Sequence, residues 1–295
     1  MAWTAVGSVE GIDTNGEVQM PYVTVGQENT EPIQIYYEDH GEGTPVVLIH
    51  GYPLSGQSWE KIARPLQGKY RLVTMDRRGF GKSSQPGSGY DYDTFTADFN
   101  ILMETLDLND AVLIGHSMGT GEITRYLGQY GSARVSKGVL LSPLAPMLVK
   151  TDDNPEGVDR SVFTGIQELA LKDRPLWIKQ FFDLFFNVKD TMGNRLSQEA
   201  WNAHWNVGIT ASPVASYDCV ESWLTDFRDD VGRIDVPMLA VQGTADQVLP
   251  FASTGKRLPP LIKDLKLVAI EYAPHSIPWT HADECNAAIK DFMAE

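Results

Sequence analysis

Two short runs in this chain, Val46-Val47-Leu48-Ile49 and Ala111-Val112-Leu113-Ile114, are apolar at every position and rich in β-branched residues. A strand with one wet face alternates polar and apolar side chains, whereas a strand covered on both faces does not. Four further runs, 71–75, 138–141, 238–241 and 265–270, repeat the theme less purely, and 33–38 alternates as a half-buried strand would. Between them lie stretches of helical spacing at 93–106, 118–130, 253–258 and 282–293. Strand and helix in steady succession predict an α/β fold, a mostly parallel sheet with helices on both faces.

One stretch breaks the rhythm. Residues 143–230 carry no convincing strand but many aromatics, among them Phe163, Trp177, Phe181, Phe182, Phe185, Phe186, Trp201, Trp205 and Trp223. So long a stretch between two core strands reads as a helical insertion rather than a loop. It is expected to cap the carboxyl ends of the strands, most of its aromatics gluing it to the core and a few lining a pocket. The expected organisation is an N-terminal extension of unassigned role at 1–19, a core at 20–142 and 231–295, and a helical cap at 143–230.

Gly115-His116-Ser117-Met118-Gly119 has the form G-x-S-x-G. The string alone is common, but here it begins where a buried strand ends and a helix starts. A sharp strand-to-helix turn needs small residues two before and two after its apex, and it lifts the apical hydroxyl clear of the sheet. The turn also sets that hydroxyl at a helix N-terminus, whose free N–H groups favour developing negative charge. Ser117 is therefore the candidate nucleophile. An unassisted serine is weak and needs a base. His275, in the loop after the run 265–270, is placed to reach over the sheet, while His281 is expected to open the last helix. Asp246, in Gly243-Thr244-Ala245-Asp246 directly after the run 238–241, is the candidate acid that would hold the His275 tautomer. The chain order serine, acid, histidine is that of hydrolases with this kind of turn.

His50-Gly51-Tyr52-Pro53 follows the run 46–49. Glycine permits close approach of backbone to a ligand, so the N–H groups of Tyr52 and Met118 are the candidate oxyanion donors. Pro53, Trp59 and Trp223 are the candidates for the substrate pocket. His50 reads as a hydrogen bonder within its turn. The glycine-rich Asp76–Ser83 segment lacks phosphate-loop spacing, and Asp76 and Arg77 read as a paired structural turn.

The rest of the composition excludes more than it assigns. With 39 acidic against 24 basic residues and a formal net charge of −15, nucleic acid and anionic membranes are poor partners. No apolar stretch is long enough to span a bilayer, and the N-terminus lacks the basic and apolar regions of a secretory signal. Cys219 and Cys285 fit no metal spacing and read as buried or half-buried thiols. A cytoplasmic protein is the expectation.

Taken together, His50-Gly51-Tyr52-Pro53, Asp76-Arg77-Arg78-Gly79-Phe80-Gly81, Gly115–Gly119 with Gly121-Glu122, 150–157, Gly243–Asp246 and Ala273-Pro274-His275 closely resemble the cofactor-free bacterial haloperoxidase (perhydrolase) and esterase branch of the α/β-hydrolases. The resemblance runs from about residue 20 to the end. It implies an eight-stranded α/β-hydrolase sheet with a helical cap, and an esterase whose acyl-enzyme is attacked by hydrogen peroxide as well as water. The substrate implied is a small ester or carboxylic acid, and the released peracid oxidises bromide or chloride with no haem, metal or other cofactor. It also implies proline just after the oxyanion donor, here Pro53, and assembly into trimers or larger homo-oligomers. The chain departs from many close relatives at His116, where they carry phenylalanine, and at Ser276, where glycine is usual. An amidase or γ-lactamase would use the same residues. A dehalogenase or epoxide hydrolase would want aspartate in place of Ser117, and a non-catalytic binding protein would not need an intact triad.

Overall fold

The computed structural model describes residues 11–12, 18–19 and 21–295; most of the expected N-terminal extension lies outside the described residues. Its described part is a two-residue antiparallel pairing of β1 (Gly11–Ile12) with β2 (Val18–Gln19). The main sheet comprises β3 (Tyr22–Glu28), β4 (Glu31–His40), β5 (Pro45–Ile49), β6 (Arg71–Met75), β7 (Ala111–His116), β8 (Val135–Leu141), β9 (Met238–Gly243) and β10 (Leu265–Ile270). Its eight strands run in the order β10-β9-β8-β7-β5-β6-β4-β3. The pairings from β10 through β6 are parallel, and β4 and β3 close the far edge antiparallel.

The fully apolar runs occupy the middle of this sheet and divide their side chains between two cores. Val47, Ile49 and Leu113 enter one cluster, and Val46, Leu48, Val112 and Ile114 enter the other. The period of two is present, but both faces are dry, so hydropathy does not reveal it. The edge strand β3, seven residues paired antiparallel with β4 in a weak pattern with a bulge between Thr24 and Gly26, was outside the sequence expectation.

The helices are α1 (Glu60–Ala63), α2 (Tyr92–Thr105), α3 (Met118–Tyr130), α4 (Arg160–Phe185), α5 (Val188–Thr191), α6 (Gln198–Gly208), α7 (Pro213–Ser222), α8 (Arg228–Val231), α9 (Ile277–Thr280) and α10 (Ala282–Met293). The helix expected over 253–258 is instead a short 3-10 turn, Gly255–Arg257. Proline at 250, 259 and 260 leaves too few consecutive N–H groups for a longer ladder. Five helices, α4 to α8, and no strand among the described residues lie between β8 and β9. Helix α4 is broken at Asp173, two residues before Pro175. The Asp173 carboxylate accepts the Leu176 N–H at 3.0 Å and so caps the second half.

Candidate active site

Ser117 stands at the end of β7 with φ 53° and ψ −119°, a left-handed conformation that costs a non-glycine residue energy. The turn is tight enough to forbid side chains on either flank. A Cβ at Gly115 would lie 2.6 Å from the Gly119 carbonyl oxygen, and one at Gly119 would lie 2.1 Å from that of Ile49. These contacts are why the motif requires glycine at both places.

Asp246 lies in the turn after β9. Its Oδ1 accepts the N–H groups of Val248 and Leu249 at 2.9 and 2.8 Å, which aims Oδ2 at His275. His275 Nδ1–H donates to that oxygen at 2.7 Å, with both side chains fully buried. A donor at Nδ1 leaves Nε2 as the basic nitrogen, and this atom is buried with no hydrogen-bond partner. Ser117 and His275 are not hydrogen-bonded to each other in this structure. The loop carrying His275 is nevertheless tied to the Ser117 turn: the His275 carbonyl accepts from His116 Nε2–H and Ser142 Oγ–H, each at 3.0 Å. The Ser276 N–H donates to the Phe185 carbonyl at 3.0 Å, which anchors the same loop to α4. His281 flanks α10 as its N-cap, as expected.

The turn after β5 is braced from below. His50 Nε2 accepts the Arg77 N–H at 3.0 Å while His50 Nδ1–H donates to the Gly51 carbonyl, and Arg77 Nη2 donates to the His50 carbonyl at 2.8 Å. His50 is thus the turn-stabilising hydrogen bonder expected of it. The expected pairing of Asp76 with Arg77 is corrected. Asp76 accepts the N–H groups of Gly56 and Lys82 at 2.7 and 2.8 Å, whereas Arg77 forms a buried ion pair with Glu122 on α3. Neighbours in an extended segment point to opposite sides, so Asp76 and Arg77 cannot both face each other.

Tyr52, Ser117, Met118 and Trp223 line one cavity of about 230 Å³. Its opposite wall comes from α4 through Phe163, Ile166, Trp177, Phe181 and Leu184, and its floor is completed by Leu144 and the Gln247–Pro250 turn. Among the described residues no charged side chain lines it, and its size suits a small, mostly apolar ligand. The Tyr52 N–H makes no hydrogen bond with other backbone groups of the described turns and loops, and Met118 is the first residue of α3, so its N–H has no intrahelical acceptor. Two pocket expectations are corrected. Trp59 is buried in the cluster on the other side of the sheet, edge-on to His116 at 6.5 Å, and does not line the cavity. Pro53 also lies outside it, with Cγ 3.1 Å from where a Gly208 Cβ would stand. Trp177 and the other α4 residues are the lining that sequence reasoning did not single out; aromatic density marked the segment, but not which helix face turns inward.

A larger, polar groove of about 450 Å³ runs beside α1, α9 and α10 and shares no lining residue with this cavity. Among the described residues, no group of three or more His, Cys, Asp or Glu is arranged to hold a metal ion, and no helix is long and apolar enough to cross a membrane. Cys219 and Cys285 are free and buried.

Burial pushes the His116 imidazole down to about 3, with the neighbouring His275 adding to the effect. A histidine kept neutral in the folded state but free to protonate once unfolded makes the unfolded state bind more protons below about pH 6.5. Stability is therefore full above that pH and declines as pH falls toward the folded value. By this linkage His116 costs about 1.4 kcal/mol of stability on going from pH 7.5 to 5.5. His116→Phe is expected to show a loss smaller by that amount, measured as urea-unfolding free energies at the two pH values. An identical pH dependence in both proteins would contradict it.

Residues 44–282 match the family model for the alpha/beta hydrolase fold. Across 275 residues the chain is 58% identical to a Synechocystis sp. protein provisionally named a non-heme chloroperoxidase, covering 93% of this chain and 100% of that one. It is 34% identical to the bifunctional esterase/perhydrolase DCH of Acinetobacter calcoaceticus, covering 93% and 99%. Among solved structures it superposes on the bromoperoxidase from Bacillus anthracis with a TM-score of 0.89 at 40% identity, covering 93% and 99%.

Proposed function

We propose that this chain, which belongs to the α/β-hydrolase family and to its non-haem haloperoxidase and esterase branch, is a serine esterase and perhydrolase acting through Ser117, His275 and Asp246. The observation that carries the assignment is the buried 2.7 Å contact between His275 Nδ1 and Asp246, made by a loop hydrogen-bonded to the residue preceding Ser117. It orients a basic Nε2 whose natural task is to take the Ser117 proton. Ser117 Oγ then attacks an ester carbonyl, the Tyr52 and Met118 N–H groups hold the oxyanion, and His275 returns the proton to the departing alcohol. Hydrogen peroxide or water next attacks the acyl-enzyme, again losing a proton to His275, and releases peracid or acid with Ser117 restored. A peracid meeting bromide and a proton in solution yields the carboxylic acid and hypobromous acid.

The uncharged cavity supports a neutral small-molecule ester as acyl donor. The names of the relatives support peroxide and halide as co-substrates. We further propose that residues 143–230 act as the cap over this cavity, that the protein works in the cytoplasm, where its two buried thiols stay reduced, and that it assembles as a trimer or larger. Its −15 charge argues against nucleic acid and anionic membranes as partners. A panel of acyl esters assayed with and without peroxide and bromide tests the chemistry. Bromination is expected only when ester and peroxide are both present, and bromination without any acyl donor would refute the peracid route.

A further inference from the structure

Tyr52 is held at both ends. Its backbone belongs to the turn after β5, and its hydroxyl reaches into the α4–α8 segment. There the hydroxyl accepts Trp177 Nε1–H at 3.0 Å and donates to the Ser216 carbonyl at 3.0 Å, both bonds buried. The ring between is clamped edge-on by Trp223, Phe181 and Phe80 at centroid distances of 4.9, 5.4 and 6.1 Å. It is therefore a rigid lever with one end on α4 and α7 and the other at the proposed oxyanion donor.

The turn has little slack to absorb a movement of that lever. A Cβ at Gly51 would stand 3.0 Å from Ser117 Cβ, so the backbone beside Tyr52 abuts the nucleophile directly. The core side of the turn is fixed by the bonds between His50 and Arg77. The hydroxyl end is set by α4 and α7, and the same segment supplies Phe181 and Trp223 against the ring. A phenylalanine at position 52 would fill the same ring-shaped space; what tyrosine adds is the pair of bonds to α4 and α7.

We propose that Trp177 is a positioning residue for the oxyanion hole, acting through the Tyr52 hydroxyl so that the helical segment 143–230 sets the direction of the Tyr52 N–H. This rests on the reading of that N–H as an oxyanion donor. The segment then does more than shape the cavity: its placement on the core aligns a catalytic dipole. Because a donor misdirected by a fraction of an ångström stabilises the tetrahedral intermediate less while leaving ground-state binding alone, the effect belongs in kcat.

The test is a double-mutant cycle of Trp177→Phe and Tyr52→Phe on a single ester, with thermal melts to confirm folding. Trp177→Phe keeps an aromatic ring in the cavity wall and removes the N–H. It is expected to lower kcat about tenfold while KM moves less than twofold. It should weaken a trifluoromethyl ketone inhibitor, which forms a tetrahedral oxyanion on Ser117, by the same factor. With Tyr52→Phe already present, Trp177→Phe should do nothing further, since the group it acts through is gone. An unchanged kcat, a loss confined to KM, or multiplicative single effects would overturn the proposal. Should Trp177→Phe not fold, Tyr52→Phe alone decides, and an unaltered inhibitor affinity there overturns it. A wild-type protein without Ser117-dependent ester turnover would remove the underlying reading instead, whereas an active wild type indifferent to Trp177→Phe removes this proposal alone.

Discussion

Ser117→Ala is expected to abolish p-nitrophenyl acetate hydrolysis and peroxide-dependent bromination together, each by a factor of roughly 10⁴ or more. Both activities pass through one acyl-enzyme in the proposed scheme, so they share a nucleophile and must fall in step. The fold should tolerate the change. The strained backbone at 117 is set by Gly115 and Gly119, whose absent Cβ atoms allow the Gly119 and Ile49 carbonyls to approach. A normal thermal melt with both activities lost is the predicted result. Bromination that survives while hydrolysis disappears would mean that halide oxidation does not use the serine ester, and the peracid route would fall. Labelling of the wild type, but not the variant, by a fluorophosphonate provides the same answer without any assumption about the acyl donor.

The second large effect is on stability. Glu122 lies on α3, in the helix that Ser117 caps, and is paired with Arg77, both nearly without solvent exposure. Glu122→Leu leaves a guanidinium buried without its counter-ion and is expected to cost about 3–5 kcal/mol. Against a total stability of about 5–15 kcal/mol for a typical protein, that is a large fraction. Urea unfolding should show a lower midpoint with little change in slope. The double variant Arg77→Met with Glu122→Leu should recover much of the loss, because exchanging both charges for apolar groups removes the desolvation cost. Recovery should remain incomplete, since Arg77 also donates to the His50 carbonyl and so braces the Tyr52 turn. A Glu122→Leu protein as stable as wild type would show that Arg77 finds another partner or access to water.

Much of the candidate chemistry was legible before any coordinates. The candidate nucleophile and acid lie just beyond the ends of buried strands, and continuous apolar runs announce those strands without help from the rest of the chain. Ser117 and Asp246 each follow such a run, whereas His275 follows the edge strand β10, whose run contains Lys266 and buries no residue fully; the small-residue requirement around the turn marks the first of them. The same logic found the turn at 50–53. Strand β3 escaped because an edge strand buries little and its seven residues show no clean alternation.

What the residue order determined by itself is the succession of buried strands and the chemical groups at their ends, because burial on two faces and tight turns each leave a local signature. Apart from the expected contact of Asp246 with His275, tertiary structure alone decided which distant side chains meet. Arg77 turned to Glu122, 45 residues away, rather than to adjacent Asp76. Trp59 went beneath the sheet while Trp177 came to the cavity and to Tyr52. Such pairings depend on helix rotation and on how layers stack, and those are set by packing summed over the whole core rather than by any short stretch of sequence.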